Sequence, residues 1–538
     1  MILLLLFLLL APQEKSAEKC VLSGTAVNAV TGEPLAKVRI LAEGNNDDSG
    51  ATPATTSDAK GQFTLIDINA GRYKLRGRRN GYLDGYFGAR RAEGSGTPIV
   101  LAAGQRMTNL VLKLTPAGVI AGTVRDADGE PLSRITVTVH RVKYENGRRR
   151  MVRVAGAYAD DLGQYRIPDL PPGKYYVYAE SKKAREFGDE TDPVTADHSP
   201  KDAPRALTLL PAMYPSVQEV GPGSRVTGVD IMLPRSAAVA VKGHVTPPPG
   251  MQVNNLTLQN TESESEELGL RLVTGANNKG EFEFREVPPG SYTLLASAVP
   301  PEKPFNGTFE MFPENMRTRT QVQVGTTDIT GLRVTIEAGA QISGRIVVDG
   351  DQKAKLGGNL IQFDDGPSEA VSAFILDDNT FKSTLPQGHY QVSAGGFADD
   401  LVVRSMRAGG RDILTEGLVV SEPSKIAIEI VLAHDGGKVE GTVLSADEKA
   451  VAGATILLVP ESRLRSRTDL FHQGESDQYG RFSFTGIAPG EYKVFAWDDV
   501  EPGIWWDPEF LKKYESQGET VKVEAKGKVT TKVHLLKE

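Results

Sequence analysis

The stretch "AWDDVEPGIWWDPEF", residues 496–510, holds all three tryptophans of the chain, Trp497, Trp505 and Trp506, with Asp498 and Asp499 beside them. Flat aromatic faces stack on sugar rings, and nearby carboxylates accept hydrogen bonds from sugar hydroxyls. These five residues form the candidate ligand site, a carbohydrate platform. The same residues admit a second reading, in which bulky rings pack a short helix onto a sheet and fill a local core.

Other groups with chemical potential are weaker. In "GRYKLRGRRNGY" (71–82), strand alternation puts Arg72, Lys74, Arg76 and Arg78 on one face, and Arg90 and Arg91 follow. Such a row suits an anionic polysaccharide or lipid headgroup, or else a solvated outer face. "DADG" at 126–129 looks like a fragment of a calcium loop, but a full loop needs further oxygen ligands and a distal glutamate. The matching place in the first copy of the motif described below reads "AVTG", so turn chemistry explains it better. The seven histidines are scattered without ligand spacing, and none is followed by glutamate. There is no G-x-S-x-G elbow and no G-x-x-x-x-G-K phosphate loop. The single cysteine, Cys20, excludes an intramolecular disulfide and a cysteine-rich metal site. No catalytic residue, metal site or cofactor is expected, and the chain reads as a non-enzyme.

The elements that must position these groups are written five times over. "SDAKGQFTLIDINAGRYKL" (from 57), "ADDLGQYRIPDLPPGKYYVYA" (159), "NNKGEFEFREVPPGSYTLLA" (277), "DDNTFKSTLPQGHYQVSA" (377) and "SDQYGRFSFTGIAPGEYKVFAW" (476) are versions of one motif. Its first turn residue falls at Gly61, Gly163, Gly280, Asn379 and Gly480, at intervals of 102, 117, 99 and 101 residues. A period near one hundred is a domain rather than a solenoid repeat. In "GRFSFTGI" Phe482 and Phe484 fall on one face, and in "GEYKVFAW" Tyr492, Val494 and Ala496 alternate with Glu491, Lys493 and Phe495. Glycine at the first turn supplies positive φ without a Cβ, and asparagine is the side chain that best tolerates the same conformation. Each repeat opens on a strand, as in "SGTAVN" (23) or "EGTVLS" (440), and closes on an apolar one, as in "NLVLKL" or "TTKVHLL".

Short strands with frequent turns and almost no helical periodicity indicate an all-β chain of five tandem antiparallel β-sandwiches of prealbumin/Ig-like type. The expected divisions are 18–116, 117–235, 236–338, 339–435 and 436–538. One short helix is expected near the C-terminus, in "DPEFLKKYESQG" (507–518), with Asp507 as N-cap, Pro508 in the first turn and Gly518 at its end. Glycine (56) and proline (32) are abundant because the chain makes many turns, while 40% hydrophobic and 24% charged residues are ordinary for a folded soluble protein.

"GTVRDADGEPLSRITVTV" followed by "DDLGQYRIPDLPPGKYYVYA" resembles the carboxypeptidase regulatory-like domain, a transthyretin-like sandwich related to the B-type repeats of collagen adhesins. The likeness is close in the first, second and fifth repeats and partial in the third and fourth. It implies an extracytoplasmic, non-catalytic module and no defined ligand, since such modules serve as stalks, spacers and recognition units. The Lys–Asn pair of an adhesin isopeptide bond does not recur across the repeats, and no LP-x-T-G sorting signal is present.

Ile2–Leu10 is an unbroken apolar run, too short to span a bilayer and right for the core of a signal peptide over residues 1–17. Export to the periplasm, cell surface or medium is therefore expected, with no integral span after processing. The net charge of −8 argues against a nucleic-acid partner. The expected partner is a polysaccharide or a cell-surface protein; the first alternative is a structural stalk or adhesin spacer with no small ligand, and the next an enzyme or the regulatory subunit of one.

Overall fold

The computed structural model describes residues 18–44, 52–145, 148–181, 207–261, 269–301, 316–351, 353–365 and 370–537. The expected signal peptide lies outside the described residues. Two compact units account for the chain: Met1–Ala117 with Val451–Ala454 and Glu475–Gly480, and Gly118–Ala450 with Thr455–Gly474 and Arg481–Glu538.

The fold is all-β, in β-sandwiches. In the first unit, Cys20–Asn28 lies between Gln62–Ile68 and Arg106–Leu114, and a second sheet is built on Arg39–Gly44 and Gly71–Arg78. Leu22, Ile40, Phe63, Leu75 and Leu112 fill the space between the sheets. The second unit holds further clusters of the same kind. One runs from Ile120 to Leu233, one from Val239 to Ile336 and one from Ala340 to Leu432, while the cluster of the last repeat, Leu457 to Leu536, gathers around the helix Pro508–Tyr514. Each cluster draws on the residues of a single repeat.

The hairpins pair antiparallel, but the opening and closing strands of each repeat lie parallel. Val21–Asn28 pairs with Arg106–Leu114 in this sense, Val241–Thr246 with Ile329–Thr335, Gln341–Val348 with Lys425–Leu432, and Lys438–Leu444 with Lys528–His534. In the second repeat the parallel partners of Gly118–Asp126 are the short strands Arg225–Val226 and Ile231–Leu233. A parallel pair needs a crossover, and here the crossover is the rest of the repeat. Pairing the first strand with the last closes each repeat on itself.

The recurring turn has a common mechanism. Asp58 Oδ1 accepts from the amides of Lys60 and Gln62, Asp160 Oδ1 from those of Leu162 and Gln164, and Asn277 Oδ1 from those of Lys279 and Glu281. The turn residue then accepts from the opening strand: Ala26 N to Gly61 O, Val124 N to Gly163 O and Val245 N to Gly280 O, each at 2.8 Å. These glycines have φ of 72–80°, and a Cβ on Gly61 or Gly163 would sit 2.6 or 2.5 Å from the carbonyl oxygen of Ala26 or Val124. Both the conformation and the close approach require glycine. Gly163→Ala is expected to cost ~2 kcal/mol, read as a lowered midpoint in chemical denaturation.

Asn379 takes the same place in the fourth repeat with φ of 61°. Its side chain does more than tolerate the backbone. Nδ2 donates to Ala354 O at 2.7 Å, and Oδ1 accepts from Leu356 N at 3.0 Å, pinning the neighbouring loop. Elsewhere that loop amide bonds the opening strand directly, as Leu35 N does to Ala26 O and Leu132 N to Val124 O. Asn379→Gly would keep the turn and lose the loop.

A second recurring device joins the turn ending at Gly173, Gly290, Gly388 or Gly490 to the strand that follows. The hydroxyls of Tyr175, Tyr292, Tyr390 and Tyr492 donate to the carbonyls of Pro171, Pro288, Pro386 and Ala488, four residues back, at 2.6–2.9 Å. All four rings are buried, and burial pushes the Tyr390 hydroxyl up to about 12. Tyr292→Phe leaves a carbonyl unbonded under a buried ring and is expected to cost ~1–2 kcal/mol, checked by thermal unfolding.

Candidate functional site

The tryptophan stretch follows the strand Gly490–Trp497. That strand pairs with Thr455–Pro460 on one side and with Glu519–Val523 on the other. After it come a 3₁₀ turn at Ile504–Trp506 and the helix α1, Pro508–Tyr514. Asp507 caps α1, its Oδ1 accepting from Glu509 N at 2.9 Å, and Pro508 opens it. The helix ends at Tyr514, short of Gly518. Glu515, held by Arg465 at 2.8 Å, is its C-cap, and Gly518 lies against the Phe495 ring, where a Cβ would come within 2.5 Å.

Alternation alone places Phe495 and Trp497 on the opposite face from Tyr492 and Val494. Both faces turn out to be covered, because α1 lies over the second one. Trp497 is 0% exposed and Trp505 4%. Trp497 stacks on Phe495 at 5.5 Å and meets Phe510 and Tyr514 at 5.8 and 5.5 Å. Its Nε1–H has no acceptor among the described residues. These two rings are the satellite core beneath α1 and turn no face outward. Trp506 is half-buried, 4.3 Å from the Phe471 ring. Asp498 is exposed and Asp499 half-buried. Of the five expected platform residues, three reach the surface.

The basic row on Gly71–Arg78 meets carboxylates. Arg76 pairs with Asp84 and, at 2.9 Å, with Glu43; Arg78 pairs with Asp84 at 3.2 Å and Lys74 with Glu475 at 3.3 Å. The carboxylates of Asp84 and Glu43 hold the Arg76 guanidinium above its already high pKa. This face is ion-paired on itself, so its field at a distance is small. "DADG" is a turn: Asp126 Oδ1 accepts from the amides of Asp128 and Glu130, and its Oδ2 pairs with Arg235 at 2.6 Å. No group of three or more His, Cys, Asp or Glu among the described residues is arranged to hold a metal ion.

The second repeat carries a surface feature with no signature in its composition. An open groove of about 560 Å³ lies on the outer face of the sheet formed by Gly118–Asp126 and Gln164–Leu170. Its floor is Ala121, Gly122 and Thr123, and Tyr158, Gln164, Arg166 and Asp230 line it. Tyr158 is 72% exposed, the most exposed of the large hydrophobic residues among those described.

Residues 21–115 and 119–200 each match the family model of the carboxypeptidase regulatory-like domain. The first two repeats therefore resemble carboxypeptidase regulatory-like domains. The later three share the positive-φ turn of these two repeats, and the tyrosine device of the second. No curated protein is detectably similar to the chain. Among solved structures, the Bacillus anthracis TIE protein aligns at 12% identity over 78% of this chain and 74% of its own, with a TM-score of 0.17. A streptococcal ancillary pilin aligns at 12% over 60% and 99%, TM-score 0.18, and GBS52, the minor pilin of Streptococcus agalactiae, at 12% over 41% and 96%, TM-score 0.21. At these scores the likenesses carry no argument about this chain. No helix among the described residues is long and apolar enough to cross a membrane.

Proposed function

We propose that this chain is an exported, non-catalytic structural protein of the cell envelope, in which tandem sandwiches hold a surface away from the cell. The observation that supports the reading is that the motif written five times is spent on turns and buried strands, with a hydrophobic cluster in each repeat. The first two domains resemble a family whose modules act as stalks and spacers, which fits. Repetition also lets weak contacts add by avidity. In fractionated producing cells, the protein is expected outside the cytoplasm with an N-terminus near Glu18. Recovery from the cytoplasm with Met1 in place would overturn export.

A second reading keeps carbohydrate recognition in the last repeat, reduced to Trp506 with Asp498 and Asp499. The half-exposed Trp506 ring favours it. Titrating polysaccharides while following tryptophan emission tests it: a saturable shift lost in Trp506→Ala supports the reading, and an unchanged spectrum removes it.

A further inference from the structure

The outer-face groove of the second repeat is best understood against its counterparts. The dipeptide Ala121-Gly122 occupies the place of Lys242-Gly243 in the third repeat and Glu440-Gly441 in the fifth. In the third, Lys242 faces Glu283 across the ladder and pairs with it at 3.3 Å. In the fifth, Glu440 pairs with Lys438 at 3.0 Å and with Lys528. Long, mutually paired side chains cover the sheet at both places. In the second repeat the ladder sets Arg166 opposite Ala121, a methyl group. Neither pairing is present here: the side chain opposite Arg166 is a methyl group, as short as the Ser23 and Ser343 of the first and fourth repeats, and Arg166 has no carboxylate partner among the described residues.

The groups around that floor are chemically mixed. Tyr158 presents an exposed aromatic face at the end of the strand Arg148–Tyr158. Arg166 offers a planar fork of donors, and Gln164 both donates and accepts. Asp230 is fixed in place, its Oδ1 accepting from the Thr123 amide at 2.8 Å and the Thr123 hydroxyl at 2.9 Å. Gly122 lets the neighbouring segment approach closely, since a Cβ there would strike the Val229 carbonyl, as one would strike a facing carbonyl at the equivalent Gly24, Gly243 and Gly441. One aromatic face with convergent donors and acceptors, and no deep apolar cavity, matches a ligand rich in hydroxyls with a flat apolar ring face.

We propose that this groove binds a short segment of a polysaccharide chain, with one pyranose ring stacked on Tyr158 and hydroxyls bonded by Arg166 and Gln164. The proposal rests on the envelope reading and gives the second domain its recognition surface. The volume suits about two sugar rings, at the lower part of the ~300–1,000 Å³ range of small-ligand sites.

The test is native gel electrophoresis of the full chain through gels with embedded pullulan, xylan, mannan or alginate. The wild type is expected to be retarded by at least one of the four. Tyr158→Ala and Arg166→Ala are expected to weaken retardation at least fivefold. Ala121→Glu places a carboxylate opposite Arg166, as the fifth repeat already carries at Glu440, so it closes the groove with the sheet intact. It is expected to abolish retardation with an unchanged melting curve. Retardation by none of the four polymers overturns the proposal while leaving the structural role and export standing. Retardation that survives Tyr158→Ala and Ala121→Glu, or is lost in Trp506→Ala instead, also overturns it.

Discussion

Trp497→Ala is expected to destabilise the last repeat by ~3–5 kcal/mol, the range for deleting a large buried aromatic side chain. The ring is fully enclosed between Phe495, Phe510 and Tyr514, so its removal leaves a cavity that α1 cannot fill without detaching from the strand. Trp497→Phe is expected to cost far less, because it keeps an aromatic ring and removes an indole N–H that has no acceptor. Denaturant unfolding followed by far-ultraviolet circular dichroism reads both. A loss in Trp497→Ala of under 1 kcal/mol would mean that the ring is no part of a core.

The second large effect is acid sensitivity in the second repeat. His140 is 3% exposed, on the strand Thr136–Glu145 beside Thr136 and Thr138, which are buried too. Its Nε2 lies 2.8 Å from the Thr138 hydroxyl, its Nδ1 has no partner among the described residues, and Tyr178 meets it edge-on at 6.3 Å. Burial, reinforced by the positive charge of Arg153, pulls its pKa down to about 4 from the usual 6.5. The folded state therefore resists a proton that the unfolded chain accepts. Its stabilising contribution is complete above pH 6.5 and falls away as the pH drops toward 4, by roughly 3 kcal/mol in all. Stability measured from pH 7 to 5 should fall more steeply in the wild type than in His140→Gln, whatever the variant's stability at pH 7. Parallel curves would contradict the assignment.

The sequence was most legible where backbone chemistry leaves few choices. The turn glycines and the alternation that buries Phe482 and Phe484 follow from local rules. Asn379 was legible as a turn residue but not as the anchor of the 354–356 loop, because that partner is more than twenty residues away. Asp67, Asp169 and Glu286, each with φ near 60° where the fifth repeat has Gly486, carry no signal of their own. The tryptophan cluster misleads for a plain reason. Strand alternation assigns a face, and only the docking of α1 decides whether that face is wet. The groove is the converse case: Tyr158 and Arg166 look like ordinary surface residues until the ladder register puts Ala121 opposite Arg166.

Mechanical unfolding of the full chain by single-molecule force spectroscopy tests the proposal that the five repeats fold as separate sandwiches. Five unfolding events are expected, each releasing about 100 residues, or roughly 35 nm of contour at ~3.5 Å per residue. One event, or two of very unequal length, would contradict it, because the repeats would then be parts of larger cooperative units rather than domains in series.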